Sequence, residues 1–272
     1  MNIKRMPPST NSEVAKADYR TLAIRATTAS PLIAPLAVAG AYIGRGVSVA
    51  IVIGSLALLF VLAGVSHLSG RPQQGGILLS LAGVLSPLVF GWDAAVPLLG
   101  AVVLSIFCFR NLKNLVSLRP FWTLSAALTT GIIILGVAAF QIGSNHLSPK
   151  GASLEWSSLP GQEHGTVFVL GLVISVSAVN SIFEELLWRT ALLKLFRPRP
   201  WAWGQWLVVS ACFGLSHLFG TPGGLAGVAW SMTFGLAMCV LRQISNGSIS
   251  WIILAHFSAD FILIGALYGI FN

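Results

Sequence analysis

Two adjacent glutamates and an arginine lie inside a long apolar stretch of this 272-residue sequence. The stretch covers residues 166–196 and contains Glu184, Glu185 and Arg189. A charged side chain at the centre of a bilayer costs at least about 2.5–3.5 kcal/mol on insertion scales, so such residues usually face a bundle interior and mark function. Since the whole chain has only 8 Asp and Glu, surface solvation does not explain why two of them lie here.

The spacing of these residues predicts different surroundings for the two carboxylates. Glu185 and Arg189 are four residues apart, so they share one helical face and are expected to form an internal ion pair. On a regular helix, Glu184 points about 100° away from Glu185. One glutamate is therefore expected to be held by Arg189 while the other faces a cavity, where a carboxylate suits general-base chemistry.

Three further ionisable residues lie in later apolar segments. His217 is in the segment 201–219, and His256 and Asp260 are in the segment 249–270. Lipid offers no water to solvate such groups, so we expect them to converge with the glutamates on one interior site. His256 and Asp260 are four residues apart and share a face, where the acid orients the imidazole or both groups donate to a substrate oxygen.

The composition predicts an all-α, polytopic membrane helix bundle. Mean hydropathy is +0.83, and charged residues make up 9% of the chain, against roughly 25% in soluble domains. At about 20 residues per helix, the chain has room for about eight or nine transmembrane helices. The net charge of +8 reflects basic residues in short loops and near the N-terminus, which indicates topology and excludes a nucleic-acid partner.

Nine apolar runs define the predicted spans: 31–43, 47–68, 77–92, 94–109, 121–142, 166–196, 201–219, 225–241 and 249–270. The first run is short, and a re-entrant element there would leave eight spans. Residues 1–28 are predicted to be a mostly disordered cytoplasmic tail with a short amphipathic helix at 12–25. Residues 29–164 are then transmembrane helices without a catalytic motif, and residues 165–272 form the catalytic helix bundle.

Basic residues in the short loops predict the orientation of the chain. With nine spans and a cytoplasmic N-terminus, the loops that carry Arg110, Lys113, Arg119, Lys194, Arg197, Arg199 and Arg242 all face the cytoplasm. The largest loop, 143–165, then faces outward, and the C-terminus lies outside.

Three motifs, each in a separate late segment, resemble those of the CPBP intramembrane protease family. They are Glu184-Glu185-x-x-x-Arg189, Phe213-x-x-x-His217 and His256-x-x-x-Asp260, in that order. The family includes the CAAX prenyl endopeptidases and the bacterial Abi proteins, some of which are linked to bacteriocin immunity. The resemblance covers roughly residues 165–270, and the first five spans carry no recognised motif.

The resemblance implies a glutamate-type intramembrane endopeptidase and a role for each motif residue. Glu184 and His217 would activate a water molecule, while His256 and Asp260 would stabilise the oxyanion. Glu185, Arg189 and Phe213 would support the site. Many family members have Asn in place of Asp260, and a carboxylate donates a hydrogen bond only when protonated. Orientation of His256 is therefore an alternative task for Asp260.

Two other functions remain open at this stage. In the first, Glu184, His217 and His256 bind a divalent metal such as zinc, although no His-Glu-x-x-His motif is present. In the second, the protein is a non-enzymatic immunity or transport factor. The expected partners are the lipid bilayer and a membrane-anchored protein or peptide, which is prenylated only if the host prenylates proteins. The expected location is a bacterial inner membrane.

Overall fold

The structure is a computed structural model that describes residues 10–90, 95–111, 124–147, 165–196, 202–268 and 270. These residues are almost entirely helical, and none of them lies in a β-strand. The predicted all-α membrane helix bundle is therefore confirmed. The largest predicted loop falls mostly on 148–164, outside the described residues, as do Lys113, Arg119, Arg197 and Arg199.

Nine α-helices follow one another in the described part of the chain: α1 Thr10–Val47, α2 Val49–Leu68, α3 Pro72–Leu85, α4 Ala95–Asn111, α5 Leu124–Leu147, α6 Thr166–Glu184, α7 Trp203–Ser216, α8 Gly224–Ile244 and α9 Ile249–Leu267. A 3₁₀ segment, Ser86–Phe90, extends α3, and a π-helical segment, Glu185–Leu192, extends α6 into a last turn, Leu193–Leu195.

Helix α1 corrects the prediction of a disordered tail. It begins at Thr10 and continues without a break to Val47, so the helix expected at 12–25 is present within a longer helix, and disorder is wrong for the other residues from Thr10 onward. The segment 10–30 contains neither Gly nor Pro and has Ala, Leu, Lys and Arg at many positions, which are good helix formers. Residues 1–9 lie outside the described part of the chain. The first apolar run is the second half of this long helix and has no re-entrant turn.

Each of the nine predicted runs lies largely on a helix. Six helical stretches in the described residues are long and apolar enough to cross a membrane: Val49–Leu68, Pro72–Phe90, Leu124–Gln141, Thr166–Leu195, Gly224–Ile244 and Ile249–Leu267. The three other runs lie on α1, on the shorter apolar helix α4 and on the 14-residue helix α7. The protein is thus an integral membrane helix bundle.

Helices of the two halves of the chain pack against one another around α6. Helix α6 contacts α4 on one side and α9 on the other, while α7 contacts α8 and α1. Helix α5 closes the bundle against α9 and α8. The residues that fill this interior are mostly Leu, Val and Ala, with Phe183 and Trp188 fully buried on the α6 side. The ionisable residues of α6 therefore face other helices.

Two cavities mark the opposite ends of the bundle. A cavity of about 310 Å³ is lined by residues near the C-terminal ends of α1, α7 and α9 and by the first turn of α4. A second cavity, of about 280 Å³, lies where α6 and α8 end and α7 begins, and it is lined by Leu193, Trp206 and Arg242. We call the first the cavity end of the bundle and the second the basic end.

Candidate active site

The cavity of about 310 Å³ brings together residues from all three predicted motifs. Glu184 from the end of α6, His217 from the end of α7 and Asp260 from α9 all line it. Glu184 and Asp260 keep 12% and 14% of their side-chain surface exposed, so both carboxylates reach the cavity. The predicted convergence of these groups on one interior site is present in the fold.

The ion pair between Glu185 and Arg189 lies behind this cavity wall. Arg189 Nη1 donates to Glu185 Oε1 at 3.0 Å, and both side chains are almost fully buried. The Arg189 guanidinium also stands 4.3 Å from the centre of the Phe213 ring, a cation–π contact. Trp188 packs edge-on against the same ring, with centroids 5.6 Å apart. Phe213 thus joins α6 to α7 beneath the site.

The helix that carries both glutamates changes its winding between them. Glu184 is the last residue of α6, and the π-helical segment begins at Glu185. In a π-helix the backbone hydrogen bonds run from residue i to i+5, and such segments are frequent at functional sites. All eight residues of this segment are buried. The regular α-helical spacing therefore holds up to the glutamates and ends in the segment that follows them.

His256 lies between the two adjacent glutamates. Its Nδ1 is 2.6 Å from Glu185 Oε1, and its Nε2 is 3.4 Å from Glu184 Oε2. A carboxylate only accepts hydrogen bonds, so Nδ1 carries the proton that it donates to Glu185. A second proton on Nε2 would make the contact with Glu184 attractive as well. The ring is held on both sides and is buried.

Asp260 was expected to orient His256, but it lies closer to the side-chain amide of Asn180. Its Oδ2 accepts a hydrogen bond from Asn180 Nδ2 at 3.0 Å, whereas its Oδ1 is 3.6 Å from His256 Nε2. A separation of 3.6 Å is beyond a normal hydrogen bond. Glu185 is the residue that fixes the imidazole of His256. Asn180, one helical turn before Glu184, fixes Asp260.

His217 lies in a different setting, at the point where α7 ends. The helix stops at Ser216, and His217 caps it with φ of −90° and ψ of 0°. Its Nδ1 donates to the Phe213 carbonyl oxygen at 2.9 Å, since a carbonyl only accepts. This bond leaves Nε2 as the nitrogen available to other groups. His217 therefore lies at the cavity end, where the turn 217–223 begins.

Among the polar residues of the cavity lining that sequence reasoning missed, Asn180 and Arg45 make hydrogen bonds to other segments. Asn180 had a detectable signal, because it is a polar residue inside an apolar span and four positions before Glu184, on the same helical face. Arg45 had none, because nothing in the sequence connects the end of α1 with the turn after α7. In the structure its Nη2 donates to the Phe219 carbonyl oxygen at 3.1 Å.

The predicted metal ligands are not arranged as a metal site in this structure. Among the described residues, no group of three or more His, Cys, Asp or Glu side chains has the geometry to hold an ion. The nitrogens of His256 are directed at carboxylates, and Nδ1 of His217 is bonded to the backbone. The donor set as it stands fits a hydrogen-bonded network.

Comparison with known families identifies the segment that contains this site. Residues 165–262, about a third of the chain, match the family described as type II CAAX prenyl endopeptidase Rce1-like. This match supports the resemblance to the CPBP and CAAX protease family that the three motifs indicated. Searches of curated proteins and of solved structures gave no match. The matched segment spans α6 to α8 and most of α9.

Proposed function

We propose that this protein is an intramembrane endopeptidase that hydrolyses a peptide bond of a membrane-associated protein or peptide. The family match supports an intramembrane CAAX-type endopeptidase. The observation that carries the proposal further is the shared cavity, in which Glu184, His217 and Asp260 from three helices face the same 310 Å³ of space. A base, an imidazole and polar donors around one space are what peptide hydrolysis requires.

In this proposal Glu184 and His217 activate the attacking water. Glu184 accepts a proton as the water oxygen forms its bond to the scissile carbonyl carbon, and Nε2 of His217 accepts a hydrogen bond from the same water. The carbonyl oxygen becomes an oxyanion. The carbon–nitrogen bond then breaks, and the proton held by Glu184 passes to the leaving amine. Proton transfer by a positioned side chain typically accounts for about 10²–10⁴-fold in rate.

The other polar residues would stabilise the oxyanion and hold the base in place. Nε2 of His256 and Nδ2 of Asn180 are the donors on the wall next to Glu184. Preorganised donors of this kind are often the largest single contribution to catalysis. Asp260 accepts from Asn180 and so supports the wall through the amide. Glu185, which is itself held by Arg189, accepts from Nδ1 of His256 and so keeps Nε2 of that ring directed toward Glu184.

The membrane setting narrows the substrate class and the location. A buried site within a helix bundle favours a substrate that is itself anchored in the bilayer, whether by a transmembrane segment or by a lipid. The basic residues of the N-terminal half of α1 favour a cytoplasmic N-terminus. We propose a bacterial inner membrane as the location.

The test compares purified wild-type protein with the Glu184→Gln variant in liposomes. Both are incubated with a library of membrane-tethered peptides, and products are identified by mass spectrometry with and without a chelator. Cleavage by wild type alone, unaffected by chelator, is expected. Loss of wild-type cleavage in chelator would favour the metal-dependent alternative.

Two other results would contradict the proposal. Equal cleavage by both proteins would remove Glu184 as the base. No cleavage by wild type, together with normal cellular function of Glu184→Gln, would favour the non-enzymatic immunity or transport role. A His67→Ala variant serves as a matched control, because His67 is exposed on α2 and lies outside the cavity.

A further inference from the structure

We propose that the site opens on the non-cytoplasmic face of the membrane, so that its substrate is a peptide segment exposed on that face. The part of this inference that concerns a substrate rests on the proposed function. The side on which the cavity opens does not depend on that function. Two observations carry it together: the helix ends that meet at the cavity show at which end of the bundle it lies, and the division of the basic residues shows which membrane side that end faces.

Successive helices have alternating directions, and the ends of several of them meet at the cavity. Tyr42 and Arg45 at the end of α1, His217 at the end of α7, and Tyr268 after α9 all line the larger cavity. The 3₁₀ segment after α3 adds Leu88. Helices that run toward the cavity therefore alternate along the chain with helices that run away from it. The cavity that Leu193, Trp206 and Arg242 line gathers the opposite ends.

Basic residues are concentrated at the end opposite the cavity. In the described residues, Arg71, Arg110, Lys194 and Arg242 lie near the helix ends on that side, and the N-terminal half of α1 adds Lys16, Arg20 and Arg25. Arg45 is the one Lys or Arg of the described residues at the cavity end, apart from Arg189 in the core. By sequence, the segment between α4 and α5 adds Lys113 and Arg119, the segment between α6 and α7 adds Arg197 and Arg199, and the segment between α5 and α6 adds only Lys150.

Lys and Arg in short loops set the orientation of a polytopic protein, with the richer side in the cytoplasm. The basic end therefore faces the cytoplasm and the cavity end faces away from it. A substrate that presents its scissile bond only in the cytoplasm would not reach Glu184 through the mouth of this cavity. The partner that fits is a membrane-anchored protein or peptide with its cleaved segment on the outer side.

Cysteine labelling in intact cells tests the side directly and requires no proteolysis. The Thr221→Cys variant places a thiol at the exposed mouth of the cavity, and Arg71→Cys places one in the exposed turn between α2 and α3. Each is treated with a membrane-impermeant maleimide before and after permeabilisation. The unsubstituted protein is the background control, because its three cysteines are buried.

Thr221→Cys is expected to react in intact cells, and Arg71→Cys only after permeabilisation, with at least a tenfold difference in labelling for each. A requirement for permeabilisation at Thr221→Cys would overturn the inference.

A second measurement covers variants that fail to accumulate. Alkaline phosphatase fused after residue 272 is expected to be active, since it works only outside the cytoplasm, and a fluorescent cytoplasmic reporter at that position would overturn the proposal. Neither result depends on whether the liposome assay detects cleavage.

Discussion

The two histidines of the site lie in contrasting regions. His256 lies among three carboxylates, those of Glu184, Glu185 and Asp260. We call these four residues together the carboxylate cluster. Both ring nitrogens of His256 face acids, and the ring is buried. His217 begins the turn 217–223, where one nitrogen is bonded to the backbone and the ring is half-buried at the cavity. The first histidine is fixed by charge, and the second is fixed by the end of a helix.

This difference separates two tasks that the sequence motifs combine. A group that orients the attacking water needs one nitrogen directed away from the backbone, and Nε2 of His217 meets this need. A group that holds a carboxylate in place needs strong partners on both sides, and His256 has them. The comparison therefore predicts that substitutions in the interior part of the carboxylate cluster mainly reduce stability, whereas substitutions at the turn mainly reduce the rate of cleavage.

The largest expected effect is the loss of stability in Glu185→Leu. This change leaves the buried guanidinium of Arg189 without its 3.0 Å partner and releases Nδ1 of His256. Removing one partner of a buried ion pair typically costs about 3–5 kcal/mol. Thermal unfolding in detergent, followed by tryptophan fluorescence, should show a clear fall in Tm.

Glu184→Gln is the matched control for that experiment, because it changes the adjacent residue and keeps its shape and its exposure to the cavity. Its unfolding free energy should change by less than about 1 kcal/mol, since it loses one 3.4 Å contact with His256. The contrast fails if both variants melt at the same temperature, which would mean that the buried pair adds no more stability than the cavity-facing contact.

The next largest effect is expected at His217. His217→Ala should lower kcat by about 10²–10³-fold, within the usual range for a general-base partner, and should leave Tm nearly unchanged. Added imidazole should restore part of the rate in this variant, because the cavity retains space where the ring was. A fall in Tm as large as that of Glu185→Leu, with no rescue, would show that His217 supports the fold and takes no part in catalysis.

The sequence predicted the residues of this contrast better than their arrangement. The helical class followed from composition, because 9% charged residues and apolar runs of about 20 residues are typical of membrane-spanning helices. The pair of Glu185 and Arg189 followed from their i, i+4 spacing alone. These features depend on local periodicity, which a single sequence records directly.

The remaining features depend on contacts between distant segments, for which the sequence has no local signal. The π-helical segment that starts at Glu185 was not predicted, because its residues do not differ in type from those of a regular helix. The contact between Asn180 and Asp260 joins residues 80 positions apart. The length of helix α1 was underestimated because its first half is polar, although that half contains good helix formers.

A smaller effect is expected from the amide that supports Asp260. Asn180→Asp removes the donor of the 3.0 Å bond and adds another acid beside the cluster, so it should lower kcat about tenfold. Asp260→Asn should be milder, because an amide at this position can still accept from Asn180 through its oxygen. Kinetic comparison of the two variants checks this order. If Asp260→Asn were the more damaging change, the carboxylate itself would have a catalytic role.

The smallest expected effect concerns Arg45, which connects the unmatched N-terminal half of the chain to the turn. Its Nη2 donates to the Phe219 carbonyl, and the Cα of the next residue, Gly46, packs so closely on the Phe219 ring that an added Cβ would lie 2.6 Å from it. Arg45→Ala should lower kcat/KM about fivefold, equivalent to roughly 1 kcal/mol for one hydrogen bond. Arg71→Ala removes an exposed arginine away from the cavity and should leave kcat/KM unchanged. Equal activity of the two variants would mean that α1 encloses the cavity without holding the turn, and that the family-matched segment positions His217 by itself.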